Sequence, residues 1–598
     1  MEKYFIQNDQ TGYKVSISDA NFTGISTEIH GKISFDKGSV SSILDTIRGT
    51  GLNLQLEANP LLTFDEFSEA DEKTYTVTVK KGSQIVFNGF LKPDGVTQSF
   101  VRDLWVVDLD FIDGLGALKD LSFVKSNGSN YTDRMSFFDV ITACLARTGL
   151  VMTINSAIDV YYLGYTGTNI LKDTYVNADR FFKIDDDTIM SCEEVMNSIL
   201  NLFSACITQQ DGQWWIYRPN DFVANTATFI DNTYNTTFSK NLYQKIGSQI
   251  DNFYPHHSGG NQQITTKGAI SAYRLNYKFG FKTGIFTNPN LKHDIYLNFT
   301  DWTKATDLHG IELINDVNDT MGLIMMTKFI DPVEILRSQS FPIVAGSQLD
   351  LKIDVVNEDT GSTFFYFNIV RSDGYYADSN GLWQNSYKVV QTKTTGFGSS
   401  SLSLSIEPVP SNCDVYVIIR SAVHTGTSVA HPVEIQSCQL INNFNYDGRI
   451  GEFHTVSRNN APSSIIKENQ EVYNGDSFDN IFIGALYKSD KTTLTTLWTR
   501  KGKLEEKYIL RISAEDDMRI QQKPSKIFTG DIYGEVPYLS IIEINNISGK
   551  FMFIEYSYDT DTNITRGKLQ QFFTNEVADL NYTLTFDYGK TVKPSIRS

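Results

Sequence analysis

The sequence predicts a mainly β, multidomain fold: β-barrels and a jelly-roll-like β-sandwich arranged with one small α+β unit. Three observations carry that prediction. The chain has 598 residues, which at roughly 150 residues per domain suffices for about four separate cores. Aromatic residues make up 13% of it against only 14 prolines, with Thr, Ser and Asn frequent throughout, and that composition favours pleated strands and polar turns over long helices. Apolar positions alternate with polar ones at a period of two over much of the chain, and two stretches switch to helical spacing.

Residues 1–122 read as a first barrel domain. Tyr75, Val77 and Val79 share one face, Lys80-Lys81-Gly82-Ser83 turns the chain, and Ile85 and Phe87 resume the alternation, which makes a hairpin. Trp105, Val107, Leu109 and Phe111 repeat the pattern before Asp113-Gly114-Leu115-Gly116 punctuates it. Burying one face of each strand calls for a barrel or sandwich. Residues 123–218 read as the α+β unit. Ser136 with Asp139 opens a helix carrying Phe137, Val140, Ile141, Cys144 and Leu145, and Ser191 with Glu194 forms a fuller capping box ahead of Val195, Met196, Ile199, Leu202, Phe203 and Cys206. Asp211-Gly212 then suits the positive φ angles of a two-residue hairpin turn.

From 219 to 330 the pattern loosens into a connecting region that can contribute to a second barrel, with one strand signal at Tyr273, Leu275, Tyr277 and Phe279 and an exposed loop over 254–261. Residues 331–450 read as an independent β-sandwich. Its strands are marked by Leu349 to Val355, Phe365 to Ile369, Leu402 to Ile406, Val415 to Ile419, and Val433 with Ile435, separated by Gly, Ser, Asn and Pro. Residues 451–598 are strand-rich again: Tyr508, Leu510 and Ile512, and later Tyr582, Leu584 and Phe586, keep period two, while Phe551 to Tyr558 forms one arm of a long hairpin. No fixed-period repeat is present.

Charge and cysteine usage narrow the function classes. With 52 basic and 70 acidic side chains the balance is 52 − 70 = −18, which opposes general affinity for phosphate backbones. Five cysteines (Cys144, Cys192, Cys206, Cys413, Cys438), widely spaced and without a CxxC pair, indicate neither a disulfide scaffold nor a zinc knuckle. The start, MEKYFIQNDQ, lacks the long apolar segment of a secretion signal, and no run approaches the ~18 apolar residues needed to span a bilayer.

The candidate sites are few, and each has a plain structural reading. GxSxG, HExxH and Walker patterns are missing, and Gly114-x-Gly116 lacks the third glycine of a dinucleotide loop, so a turn after a strand accounts for it. His256 and His257 lie in a polar loop with no nominated third ligand. Asp559, Asp561 and Asn563 resemble the start of a calcium loop, but Ile564 and Gln570 stand where its glycine and closing glutamate belong. Asp185, Asp186 and Asp187 could serve acid–base chemistry, yet sequence spacing gives no carboxylate separation. No catalytic, metal or cofactor residue is therefore nominated. Tyr375, Tyr376 and Trp383 are the exception among binding residues: flat rings beside Asp and Asn are what a sugar ring needs, and core packing is the alternative reading.

Several stretches together resemble the tail-hub, or baseplate-hub, proteins of tailed bacteriophages. They are IRGTGLNLQLEA (47–58), VFNGFLKPDGV (86–96) followed by DLDFIDGLGALKD (108–120), and CEEVMNSILNLFSACITQQDGQWWIYRP (192–219); VYNGDSF (472–478), LWTR (497–500), DMRIQQKP (517–524) and FTGDIYG (528–534) resemble the closing portion. The resemblance implies structural, non-enzymatic work without a cofactor: two barrel-like domains in each of three copies form a ring that continues the tail tube at the virion's tail tip. It implies as partners a homotrimer of this chain and tail-tube, distal-tail, tip or fibre proteins, with DNA passing unbound. The sandwich would be an insertion resembling jelly-roll carbohydrate-binding modules, able to meet a host surface glycan. Two rivals stand beside this reading: a glycan-binding virion or surface adhesin, and a tail-associated cell-wall hydrolase.

Overall fold

The computed structural model describes the chain apart from residues 58–61, 63, 100–105, 132, 179–180, 184–187, 223, 249–254, 258–259, 271, 279–289, 292, 295, 300–301, 307, 309–311, 315–321, 328–331, 344–347, 358–359, 412, 426–430, 443–446, 456–465, 470–475, 479–480, 492, 496, 522, 574–579, 584–586 and 589–598. Trp105, Asp185, Asp186, Asp187, Tyr254, Phe279, Leu584 and Phe586 lie outside the described residues. The fold is mainly β and multidomain, as the alternation requires.

Its largest element is a sixteen-stranded sheet to which both ends of the chain contribute. The early part runs through Glu2–Asn8, Tyr13–Asp19, Tyr75–Lys81, Gln84–Leu91, Val107–Ile112, Thr50–Leu56 and Gly31–Lys37. The predicted hairpin is present, with Lys81 opposite Gln84 across the turn. Gly31–Lys37 then pairs antiparallel with Ile547–Asp559, Phe35 opposite Tyr558, and this seam joins residues more than five hundred positions apart. Beyond it, Ile547–Asp559 pairs with Ile564–Phe572 as the expected long hairpin, and Ser525–Tyr533 follows. Ile33, Phe35, Leu54, Leu109, Phe111, Phe528, Phe553 and Leu569 bury one side of this sheet in a single core.

The α+β unit packs beside it. Its six-stranded sheet carries Gln213–Tyr217 between Cys206–Gln210, antiparallel, and Ile154–Ala157, parallel. Both helix caps form. The Ser136 hydroxyl accepts the Asp139 N–H at 3.0 Å. The Ser191 hydroxyl accepts the Glu194 N–H at 3.2 Å while the Glu194 carboxylate accepts the Ser191 N–H at 2.8 Å, a complete capping box. Asp211 and Gly212 turn the hairpin at φ of 54° and 65°, the left-handed region that glycine tolerates best.

One expectation fails. Tyr508, Leu510 and Ile512 are spaced for a strand, but only Tyr508 lies in one; Ile509–Gln521 is an α-helix, buried except for a stripe of Arg511, Glu515 and Arg519, whose four-residue spacing belongs to a helix and not to a strand. This helix, through Leu510, Ala514 and Met518, seals the core of the α+β unit together with Trp498.

The sandwich consists of a nine-stranded and a five-stranded sheet. All five strands marked in the sequence are present, and the sheets also take in Trp302–Lys304, Glu312–Ile314 and Leu323–Thr327. Leu351, Ile353, Phe365, Phe367, Val417 and Leu440 fill the space between them. The strands before and after it, Ala272–Lys278 and Asp447–Thr455, pair antiparallel with each other, so the chain leaves for the sandwich and returns to nearly the same place.

Candidate functional site

Over Gly31–Lys37, Thr50–Leu56, Val107–Ile112 and the Glu555–Asp559 end of the late seam strand, core residues alternate with polar ones, so the side opposite the core is polar there; before Glu555 a bulge breaks the alternation, and Met552 and Ile554 join a second core. Residues facing each other across antiparallel strands point to one side of the sheet. One row crosses the seam as Gly51, Asp36, Ser557, Arg566 and Asp531, and a neighbouring row holds Asp110, Asn53 and Ser34. Asn53 donates to Asp110 at 2.8 Å, and Gln55 donates to Asp108 at 3.2 Å. Lys568 meets Glu555 at 2.6 Å, and Arg566 lies 3.6 Å from Asp531. Burial, and then the Asp110 charge, push the Asp36 carboxyl above its ordinary value. Carboxylates outnumber cations here: Asp36, Asp108, Asp110, Asp531 and Glu555 stand against Lys32, Arg566 and Lys568. Part of the chain's acid excess is thus concentrated on this face.

A buried polar junction lies where the α+β unit meets the large sheet. The Lys37 ammonium donates to Thr50 Oγ1 at 2.7 Å, and to Thr208 Oγ1 and the Gln209 carbonyl at 2.6 Å each, with the Tyr538 ring 4.4 Å away. Burial nevertheless pulls its pKa down to about 7. Asp113 accepts the Thr50 and Leu115 N–H groups at 2.8 and 3.0 Å, and burial raises its carboxyl to about 6. Arg48, also buried, donates to the Tyr538 hydroxyl at 3.3 Å. Three parts of the chain, early strands, α+β unit and late strands, are pinned together by these groups. A second tie is ionic: Arg218 pairs with Asp516 on the late helix and, at 2.8 Å, with Asp221.

The sandwich residues read from the sequence are brought together only in part. Trp383 is 9% exposed, and its indole N–H donates to the Glu407 carbonyl at 3.0 Å. Arg371, likewise buried, lies between the Trp383 and Tyr375 rings, at 5.3 and 4.7 Å from their centroids. Tyr376 stands apart from them, half-buried on the outer side of the nine-stranded sheet.

The remaining candidates take structural places. His256 and His257 form a two-residue strand against Tyr533 and Ile532. Asp559 Oδ1 accepts the N–H groups of Asp561 and Thr562 at 3.0 and 3.1 Å, which makes a hairpin turn. Gly114, at φ 79°, opens a short 3-10 helix. Among the described residues no three His, Cys, Asp or Glu side chains converge to hold a metal ion, and no helix is long and apolar enough to cross a membrane.

No family model matches the chain, and no curated protein sequence is similar to it. Among solved structures it is similar to the tail protein from Neisseria meningitidis MC58, at 8% identity over 95% of this chain and 98% of that one with a TM-score of 0.37. It is similar to the 43 kDa tail protein of prophage MuSo2 from Shewanella oneidensis (7% identity, 94% and 99%, TM-score 0.36) and to prophage tail protein gp18 from Listeria monocytogenes EGD-e (7% identity, 94% of each, TM-score 0.32). These structural neighbours are tail proteins, and at such scores no residue role passes from them to this chain.

Sequence reading missed the acidic face. Its signal was present in the Asp108 and Asp110 alternation, but Asp36 joins that face through the pairing with Thr50–Leu56, and Glu555 and Asp531 join it only through the seam.

Proposed function

We propose that this protein is a structural component of a phage tail tip: a hub whose three copies close into a ring, continue the tail tube and anchor neighbouring tail-tube, distal-tail, tip or fibre proteins. The observation that carries this reading is the seam between Gly31–Lys37 and Ile547–Asp559. It turns the early and late portions, the two that resemble hub proteins in sequence, into one wall that buries a core on one side and, around the seam, presents a polar face on the other. A wall of this kind suits a conduit better than a pocket. Its polar side carries more carboxylates than cations, so DNA phosphates moving past it meet repulsion and little to hold them. Closing the ring also gives the terminal strands, Thr27–Glu28 at one end of the path and His256–His257 at the other, a neighbouring copy to cover them. The work is mechanical and electrostatic, and no side chain is assigned a catalytic role.

Light scattering on the purified full chain, with and without the neighbouring tail-tube protein, tests the assembly. The expected result is a particle of three times 67.5 kDa. A 67.5 kDa monomer under both conditions would contradict it.

A further inference from the structure

The outer side of the sandwich's nine-stranded sheet is not an ordinary solvated surface. Val370 faces Tyr416 on one neighbouring strand and Tyr376 on the other, and Tyr376 faces Gln384 in turn. The adjoining row is Arg337, Ile418 and Asn368. The opposite side of these strands supplies Phe367, Ile369, Val415, Val417 and Ile419 to the core, so Val370 and Ile418 form a separate apolar floor. Both are buried although they belong to no core cluster. Tyrosines and guanidinium groups border that floor. Tyr387, 54% exposed, meets Tyr376 at a ring-centroid distance of 5.4 Å and an interplanar angle of 61°. The Arg420 guanidinium lies 5.3 Å from the Tyr387 ring, and that of Arg337 lies 5.1 Å from the Tyr416 ring.

The arrangement is held from beneath. Asn368, fully buried, donates to the Lys388 carbonyl at 2.6 Å, which fixes the segment bearing Tyr387, and its amide oxygen accepts from Arg420 Nε. Arg420 also donates to the Pro332 carbonyl at 3.1 Å. Among the described residues its hydrogen-bond acceptors are thus neutral, whereas Arg337 is paired bidentately with Glu334 at 2.9 Å. Arg420 leaves a positive charge at the edge of the floor, in a chain whose balance is −18.

We infer that this face, bordered by Tyr376, Tyr387 and Tyr416 with Arg337 and Arg420 and held from beneath by Asn368, is a carbohydrate-binding site for a pyranose-containing oligosaccharide. Fixed tyrosine rings offer flat apolar platforms for the C–H faces of a sugar ring, and the planar guanidinium groups beside them can donate to its hydroxyl and ring oxygens. The accessible apolar area is the exposed Tyr387 ring with the half-buried Tyr376 and Tyr416 rings over the buried floor, too small for the buried core that a stable protein interface requires and of a size for one or two sugar rings. This gives the sandwich of the proposed tail protein a ligand class but does not depend on ring formation, so the two readings fail in different assays.

The test uses the purified full chain on a printed array of bacterial and host surface glycans, followed by titration calorimetry with any glycan retained. Binding is expected in the wild type and weakens by about tenfold or more in Tyr387→Ala. Phe397→Ala, at an exposed position elsewhere on the sandwich, leaves it unchanged. Thermal unfolding of Tyr387→Ala should match wild type, which separates lost contact from lost fold. A wild-type chain that retains no glycan, or a Tyr387→Ala, Tyr416→Ala double variant that binds as wild type does, overturns the inference.

Discussion

Replacing Asp516 by alanine tests how the late portion of the chain is held to the α+β unit. Asp516 is fully buried on the Ile509–Gln521 helix, where its carboxylate accepts from Arg218 and, at 3.0 Å, from Arg500 Nε. Arg218 is 1% exposed, so water cannot replace the lost partner. Arg218 keeps Asp221 at 2.8 Å and the Phe203 carbonyl at 2.6 Å, and Arg500 keeps Glu505 at 2.8 Å. The loss is therefore two charge-assisted hydrogen bonds, each worth about 1.5–3 kcal/mol, without stranding either guanidinium completely. A net cost of about 3–5 kcal/mol follows, as is typical for breaking a buried ion pair from one side. Asp516→Asn should cost less, since its amide oxygen still accepts one bond. Urea denaturation combined with hydrogen exchange is the suitable assay, because a multidomain chain does not unfold in one transition. Exchange should accelerate together in Cys192–Leu202 and Ile509–Gln521, which pack into one core. A cost below about 1 kcal/mol, with exchange unchanged in both helices, would refute the reasoning.

Other outcomes follow from single contacts. Lys37 has a pKa of about 7 in the fold against ~10.4 unfolded, so between these values the unfolded chain holds a proton that the fold does not. Stability should rise with pH in that window by up to ~1.4 kcal/mol per unit; urea midpoints of Lys37→Met should lack that slope, and parallel curves would contradict it. Ser191→Ala removes the capping box and should cost about 1 kcal/mol, measured as faster exchange at the start of Cys192–Leu202, with Ser191→Asp largely restoring protection. Trp383→Ala should cost about 3–5 kcal/mol, seen as early melting of the sandwich, because the ring is packed in its core and its N–H is bonded to Glu407.

What could be read from sequence was what is encoded locally. The Ser191 and Glu194 box, the Asp211-Gly212 turn and the Phe551 to Tyr558 arm each depend on residues within a few positions, and each is present. The seam could not be read, because Phe35 and Tyr558 look like any other inward aromatic residues until they are opposed. Parallel pairings such as Tyr243–Ile246 with Ile541–Ile544 are hidden for the same reason. The late helix was misjudged because Tyr508, Leu510 and Ile512 satisfy period two over a window too short to expose the longer period. In the sandwich, the SDGYYADSNGLW segment stands out by its aromatic density, yet Tyr376 is grouped with Tyr416 by strand pairing across Val370, and with Tyr387 and Arg420 by ring contacts. Tyr416, outward between the buried Val415 and Val417, was the local hint.

Electron cryo-microscopy of the full chain assembled with its neighbouring tail proteins tests the central claim most directly. The account predicts a three-fold ring whose opening is bounded by the row of Asp36, Ser557, Arg566 and Asp531. A ring whose opening is lined by other elements, with that row turned to its outer surface, would contradict it.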